Sequence, residues 1–321
     1  VESRLLRHGD GRWALRRGPL ARRALPPLTQ REWTVLVQGV DLHHAGVHAL
    51  MQRFRFVPDA RLDDVMISWA SDGGGVGPHF DRYDVFLLQA QGRRRWRIGR
   101  QKDLSLVEGL PLKILAHFEP EHEYLLEPGD MLYLPPRWAH DGVAEGECMT
   151  YSIGFRQPAR GELAGELLQR LAEEAGDVLG EGAYRDPSQP ATASPGAVPP
   201  AMLAFAHEAV QRLAGDAELL AMLLGEWLTE PKPDVWFDAG VEADADRARA
   251  VVLDRRTRMM HDARHVFING EGFRAAGRDA GLMRKLADAR QLGASERQRL
   301  SAPARALLAQ WLQAGWAHES D

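Results

Sequence analysis

Along residues 1–157, apolar and polar positions alternate over short runs that break at Gly and Pro, the pattern of half-buried strands. Residues 85–88 and 96–98 read as two strands separated by a turn at Gln91-Gly92. Residues 131–134 and 149–155 form a second pair, entered through the turn Glu127-Pro128-Gly129-Asp130. One helical stretch interrupts them near residues 41–54. Several short strands at this spacing predict a sandwich or barrel, so residues 1–157 form a mainly β domain. After Arg160 the period changes, with Leu163, Leu167, Leu168 and Leu171 on one helical face. A Pro-, Ala- and Ser-rich break covers residues 186–200. Helical spacing resumes at Met202, Phe205, Val210 and Leu213 and again over 219–227, and Pro231-Lys232-Pro233 closes an all-α region, 158–230. The last part, 231–321, mixes types. Residues 247–250 read as helical, 251–253 and 266–268 as strands, the second running into the turn pair Asn269-Gly270, and 282–286 and 304–316 as helices. Helices beside a small hairpin predict an α+β domain resembling a winged helix.

Composition narrows the function classes. Forty basic against 45 acidic side chains leave a formal charge of −5, which argues against a whole-chain nucleic-acid or membrane-surface binder. From residue 241 onward, 14 basic and 11 acidic residues give too small an excess for a DNA-binding wing, so a protein contact is expected there and no direct DNA binding. The single cysteine, Cys148, excludes an internal disulfide and a thiolate zinc cluster, and fits a reducing, cytoplasmic setting. No apolar run approaches the roughly 18–20 residues of a membrane span. The chain opens at Val1 rather than at a methionine, and further residues are expected upstream.

The chemistry concentrates in Gly73-Gly74-Gly75-Val76-Gly77-Pro78-His79-Phe80-Asp81. Residues two apart on a strand face the same way, so His79 and Asp81 can close on one ion. Such a pair alone is more often a surface or capping feature. The run from Glu127 to His140 supplies a third ligand: turn, apolar strand, Pro135-Pro136 corner and histidine resemble the second metal-binding segment of a cupin jelly roll (double-stranded β-helix). Two histidines and one carboxylate on one face of an ion are diagnostic of non-haem Fe(II) oxygenases. Arg137 stands where a glycine is common in that pattern. His44 and His48, four apart on the expected helix, have no evident acidic third ligand, and His43 faces elsewhere. His117, His122, His261 and His265 read as solvated.

An oxygenase with open metal positions needs a reductant. 2-Oxoglutarate supplies two electrons, and its distal carboxylate requires a buried cation. In Arg93-Arg94-Arg95-Trp96-Arg97-Ile98, alternation sends Arg93, Arg95 and Arg97 to a wet face and Arg94 inward with Trp96 and Ile98. Arg94 then binds 2-oxoglutarate, unless a protein carboxylate such as Asp84 pairs with it. Ser68 or Thr150 is placed to add a hydroxyl to the same carboxylate. Asp72, beside the triple glycine, and Tyr83 are candidates to receive a substrate guanidinium, although Asp72 equally suits a turn cap.

Segments 64–68, 73–86 and 92–97, with Pro128-Gly129-Asp130 and Tyr151-Ser152-Ile153-Gly154-Phe155-Arg156, resemble the bacterial JmjC-type ribosomal oxygenases of the cupin superfamily. Among these they most resemble members that 3-hydroxylate an arginine of a large-subunit ribosomal protein. The resemblance implies iron ligation by His79, Asp81 and His140, 2-oxoglutarate binding by Arg94, O₂ as oxidant and a ribosomal protein as substrate. It also implies a JmjC jelly-roll domain over 1–157, a helical homodimerisation region and a C-terminal winged-helix-like domain. Ala70 departs from the serine of similar members, and Val1 is expected to begin inside the catalytic domain. Rival readings are a histidine-hydroxylating oxygenase of the same group, a cupin metalloenzyme without O₂ chemistry, and a ribosome-binding factor with a vestigial pocket.

Overall fold

The computed structural model describes residues 2–9, 11–240 and 249–320, and the chain divides into two units at Gln157/Pro158. The strands of the first unit are β1 (Ser3–Gly9), β2 (Arg12–Arg17), β3 (Trp33–Val37), β4 (Leu62–Ala70), β5 (His79–Phe80), β6 (Val85–Arg100), β7 (His122–Leu126), β8 (Met131–Leu134) and β9 (Trp138–Phe155), joined by antiparallel pairing into one network. Strands β6 and β9 run against each other from Val85↔Gly154 to Arg100↔Trp138. The first half of β6 takes β8 on its other edge and the second half takes β7. Correspondingly, β9 takes β5 beside its first residues and β4 beside its last. The network is therefore two sheets sharing two bent strands, in the orders β2-β1-β3-β4-β9-β6-β8 and β5-β9-β6-β7. This is the jelly roll expected from the sequence.

The bend in β6 lies at the register shifts between Gln89 and Arg93. There Gly92 has φ of 64°, and a Cβ on it would lie 2.0 Å from the Glu147 carbonyl oxygen, so glycine alone fits. The turn expected at Gln91-Gly92 is instead a bulge within one continuous strand, because the runs on both sides of it keep β9 as partner. Helix α1 (Ala45–Gln52) buries Val47 and Met51, one turn apart, with Phe54 against Leu62, Val65, Ile153 and Phe155. A second apolar cluster, Val85, Leu87, Trp96, Ile98, Leu126 and Leu134, packs between β6, β7 and β8. Fully burying such a side chain contributes about 1.5–3 kcal/mol.

The second unit begins with α2 (Arg160–Leu179), α3 (Pro200–Ala214) and α4 (Ala217–Thr229). Two three-stranded sheets follow. One is β10 (Ala250–Leu253) between β14 (Gln291–Leu292) and β15 (Ala317–Ser320). The other is the meander β11 (Met259–His261), β12 (His265–Ile268) and β13 (Glu271–Arg274). Helices α5 (Gly277–Ala289), α6 (Ala294–Gln298) and α7 (Ala302–Gln313) complete it, around a core that includes Val251, Ile268, Leu286, Leu308 and Trp311. The hairpin β12–β13 turns at Asn269-Gly270, both at positive φ, as that dipeptide predicts.

Three expectations differ here. The boundary expected after residue 230 falls behind α4, yet α4 packs on the meander: a Cβ on Gly225 would lie 2.3 Å from the Phe267 ring, and the Thr229 hydroxyl accepts from the Gly270 amide at 3.2 Å. Of the helix expected at 247–250, residues 247 and 248 lie outside the described residues, and Ala250 opens β10. His265, expected to be solvated, is 1% exposed, because β12 is the central strand of its meander.

Candidate metal centre

Strand β5 is only two residues long, so the loop before it fixes its position. Gly73 donates to the Ala144 carbonyl and Ala144 to the Gly74 carbonyl, each at 2.9 Å. A Cβ on Gly75 would stand 2.6 Å from the Gly142 carbonyl oxygen. The glycine run is thus what lets this loop lie flat on β9. The register that results puts His79 directly opposite His140, with ring centroids 4.2 Å apart. Asp81 follows, its Oδ2 3.7 Å from His140 Nε2, and one ligand atom from each of the three side chains lies within 4.8 Å of the others.

Both imidazoles are oriented by backbone. His79 Nδ1 lies 2.8 Å from the Gly77 carbonyl oxygen and His140 Nδ1 3.0 Å from that of Trp138. Each Nδ1 therefore carries the proton and each Nε2 keeps its lone pair for a ligand. Burial, reinforced by the neighbouring His79, pushes the His140 pKa down to about 3, so it is neutral at physiological pH. The chain supplies two imidazole nitrogens and one carboxylate oxygen, the donor set of a facial iron site. Arg137 has φ of 67° and its amide donates to the Asp81 carbonyl at 2.7 Å. That left-handed backbone explains why glycine is common at this point of the cupin pattern.

Along the inner face of the smaller sheet, Ile98 pairs with His140, Trp96 with Gly142 and Arg94 with Ala144. A Cβ on Gly142 would lie 2.6 Å from the Trp96 ring, so this glycine makes room for the indole. Arg94 is 3% exposed. Its Nε donates to Cys148 Sγ at 3.4 Å and its Nη1 to Ser68 Oγ at 3.3 Å, while Nη2 has no partner. Asp84 is engaged elsewhere, by Arg61 at 3.0 Å and the Tyr133 hydroxyl at 2.7 Å. A buried guanidinium is thus held by two neutral acceptors, four strand positions from His140. At about 3.3 Å per residue this is about 13 Å along the strand, room for a small dicarboxylate between cation and ligand triad.

The Thr150 hydroxyl donates to Gln89 Oε1 at 2.9 Å, which leaves Ser68 as the hydroxyl beside Arg94. Tyr83, 40% exposed, sets its hydroxyl against Asp81; desolvation there, together with that carboxylate, raises its pKa. The Asp72 carboxylate binds Arg31 at 2.9 Å and accepts from the Gly146 amide at 2.8 Å, the turn-tying role open to it from the sequence. Ala70 is fully buried with Ala144 and Cys148. Cys148 is the site residue that sequence reasoning missed, although it shares the β9 parity of His140 and Thr150. His44 caps α1, accepting from the Val47 amide at 3.4 Å, and His43 and His117 are exposed.

Two family models match the chain: the JmjC domain over residues 49–163 and the ROXA-like winged helix over 211–318, a span that includes α4. The ribosomal protein uL16 3-hydroxylase of Escherichia coli K12 is 38% identical over 238 residues, 73% of this chain and 62% of that protein. A probable ribosomal oxygenase of Haemophilus influenzae is 39% identical over 163 residues, 49% of this chain and 40% of that one. The chain therefore spans about half the length of these curated relatives. The crystal structure of E. coli ycfD superposes with a TM-score of 0.88 at 32% identity, covering 100% of this chain and 87% of that one. The same protein in complex with cobalt and 2-oxoglutarate superposes at 0.84 and 31% identity.

Proposed function

The chain belongs to the JmjC-type ribosomal oxygenases, and from that premise we propose that it is an Fe(II)- and 2-oxoglutarate-dependent protein hydroxylase acting on an arginine of ribosomal protein uL16. The observation that carries this reading is Arg94: a buried guanidinium over the Trp96 ring with, among the described residues, an unpartnered Nη2 and no carboxylate partner, on the inner face that also bears His140. Uncompensated buried charge is costly, and an external carboxylate relieves it. Ferrous iron held by His79, Asp81 and His140, with 2-oxoglutarate and O₂, supplies an oxidant able to hydroxylate an unactivated C–H bond, releasing succinate and CO₂.

The residues of the chain do the positioning. Gly77 and Trp138 carbonyls fix the tautomers of the two imidazoles, and Arg137 fixes the backbone of Asp81. Arg94, steadied by Ser68 and Cys148, takes the distal carboxylate of the co-substrate. Tyr83 meets the substrate guanidinium at the mouth, a task for which the occupied Asp72 is less free. The helices before the winged helix associate with a second copy, a reading supported by exposed Leu168, Met202, Leu203, Phe205 and Val210 on α2 and α3.

Incubation with Fe(II), 2-oxoglutarate and a uL16 peptide is expected to add one oxygen atom to an arginine, matched by succinate, and His140→Ala is expected to stop both. Oxygen found on a histidine would assign the substrate of the rival oxygenase. Turnover with Zn²⁺ or Mn²⁺ and without O₂ would reject oxygenase chemistry. Sedimentation at twice the 35.7 kDa chain mass tests the dimer.

A further inference from the structure

Residues 1–31 carry eight arginines against two acidic residues, a formal charge of +6, so the rest of a chain at −5 overall carries −11. The hairpin β1–β2 organises this charge. Its register pairs Leu5 with Arg16, Arg7 with Ala14 and Gly9 with Arg12, and cross-strand partners share a face, so Arg7, Arg12 and Arg16 project together. The 3₁₀ turn Arg22–Ala24 folds against that face. A pocket of about 220 Å³ there is lined by Leu5, Arg7, Ala14, Leu15, Arg16 and Ala24. Arg7, Arg12, Arg16, Arg22 and Arg23 are all exposed. Among the described residues none of the five makes an ion pair, whereas Arg4 and Arg17 share Glu2, and Arg31 holds Asp72.

Five guanidinium groups with no ion-pair partner among the described residues repel one another where they lie close, and a polyanion relieves that repulsion. Guanidinium forks match phosphate oxygens bidentately. The pocket adds what a uniformly charged surface lacks: a mainly apolar lining beside the side chains of two arginines, in a volume of about 220 Å³. Bases of single-stranded RNA stack on arginine planes. An anionic bilayer has no planar group for such a pocket. We propose that the β1–β2 hairpin and the turn after it form a surface for single-stranded RNA, with one base in the pocket and flanking phosphates on Arg7, Arg12, Arg16, Arg22 and Arg23. None of the five arginines is a candidate metal ligand or co-substrate contact, and the test of this surface requires no iron and no hydroxylation.

The test is fluorescence anisotropy of a labelled single-stranded RNA of about 16 nucleotides with the chain, in EDTA, across a salt series. Binding is expected to weaken with salt, each phosphate contact contributing a slope of about 0.7. The triple variant Arg7→Glu, Arg12→Glu, Arg16→Glu is expected to reduce that slope by about 2. A control, Arg255→Glu, Arg278→Glu, Arg299→Glu, makes the same change in net charge on exposed arginines of the other unit and is expected to leave the slope nearly unchanged. Ala14→Trp fills the pocket from an exposed position and is expected to weaken binding with the slope retained. The proposal is overturned if the wild type does not bind, if the two triple variants behave alike, if Ala14→Trp binds as the wild type does, or if phosphatidylserine vesicles bind as tightly as RNA.

Discussion

Arg94→Met separates the two consequences of an uncompensated buried charge, because they change in opposite directions. The side chain has five N–H donors. Nε is spent on Cys148 Sγ and one Nη1 proton on Ser68 Oγ, so the Nη2 protons and the second Nη1 proton remain. A carboxylate meeting two of them gains about 1.5–3 kcal/mol from each, or about 3–6 kcal/mol. At about 1.4 kcal/mol per tenfold, the variant is expected to raise the 2-oxoglutarate KM at least about a hundredfold. Methionine keeps an apolar stem in the same space, so the barrel is expected to fold.

Without co-substrate the sign reverses. Replacing even a buried ion pair by well-packed apolar side chains is often neutral or stabilising by about 1–4 kcal/mol, and a charge without a carboxylate partner is expected to follow the same sign. The ligand-free variant is therefore expected to unfold a few degrees above the wild type, at about 2–4 °C per kcal/mol for a unit of this size. Adding 2-oxoglutarate is expected to raise the wild-type Tm and leave the variant's unmoved. Succinate formation against 2-oxoglutarate concentration reads the first effect and thermal unfolding the second. A variant KM within twofold of wild type would refute the anchoring role, and a fall in ligand-free Tm would refute the account of Arg94 as an uncompensated charge.

Gly142→Ala drives a methyl group into the Trp96 ring, 2.6 Å from the position its Cβ would take; overpacking there is expected to cost about 1–3 kcal/mol in urea unfolding, and a variant as stable as wild type would contradict this packing. Gly225→Ala presses on Phe267 between α4 and the meander and is expected to destabilise the second unit in denaturant while the 2-oxoglutarate KM stays at the wild-type value. Burial would raise the Asp254 pKa, but hydrogen bonds from Arg256 and His318 outweigh it and hold the carboxyl down at about 2. With the folded value below the unfolded one of about 3.9, the contribution of about 2 kcal/mol is complete above pH 4 and disappears as pH falls through about 2. Asp254→Asn is thus expected to lose that stability at pH 7, with the gap closing on acidification; a gap independent of pH would reject the assignment.

What could be read from the sequence was what depends on period and parity. Alternation alone put Arg94 inside and Arg93, Arg95 and Arg97 outside, and the structure has Arg94 buried with each of the others beside a carboxylate. The convergence of His140 with His79 was not readable from spacing. It depends on β9 pairing with a two-residue strand set by the glycine loop, and the sequence suggested it through likeness to the cupin pattern. Local signals misled where tertiary partners overrode them. Gln91-Gly92 has turn chemistry, but a shared partner strand makes it a bulge. His265 flanks polar turn residues, but it becomes buried once the meander and α4 close over β12. Cys148 was read for what it could not form, a disulfide, and so its contact with Arg94 was missed.

The two faces of β6 handle arginine in opposite ways, and the difference bears on the site. Outside, Arg95 bridges Glu123 and Glu145, and Arg97 pairs with Asp141, so the charge of the strand is cancelled where it meets water. The exposed pairs of Arg95 contribute little individually, up to about 1 kcal/mol, whereas Asp141 is itself buried under Arg97. Inside, Arg94 meets a hydroxyl, a thiol and the face of the Trp96 ring, none of them a carboxylate. A carboxylate at position 68 or 148 would hold the guanidinium more firmly, but it would also cancel the attraction for an incoming dianion. Neutral acceptors fix the plane of the side chain and leave its charge available. The cost is an unsatisfied buried donor, about 1–3 kcal/mol in the empty barrel, which is recovered only when a carboxylate arrives. Under the proposed anchoring role, affinity at this end of the pocket would be drawn partly from instability of the unliganded fold. It follows that Ser68→Asp should stabilise the ligand-free protein and impair 2-oxoglutarate binding at once, the same pair of signs as Arg94→Met, reached by adding a charge instead of removing one.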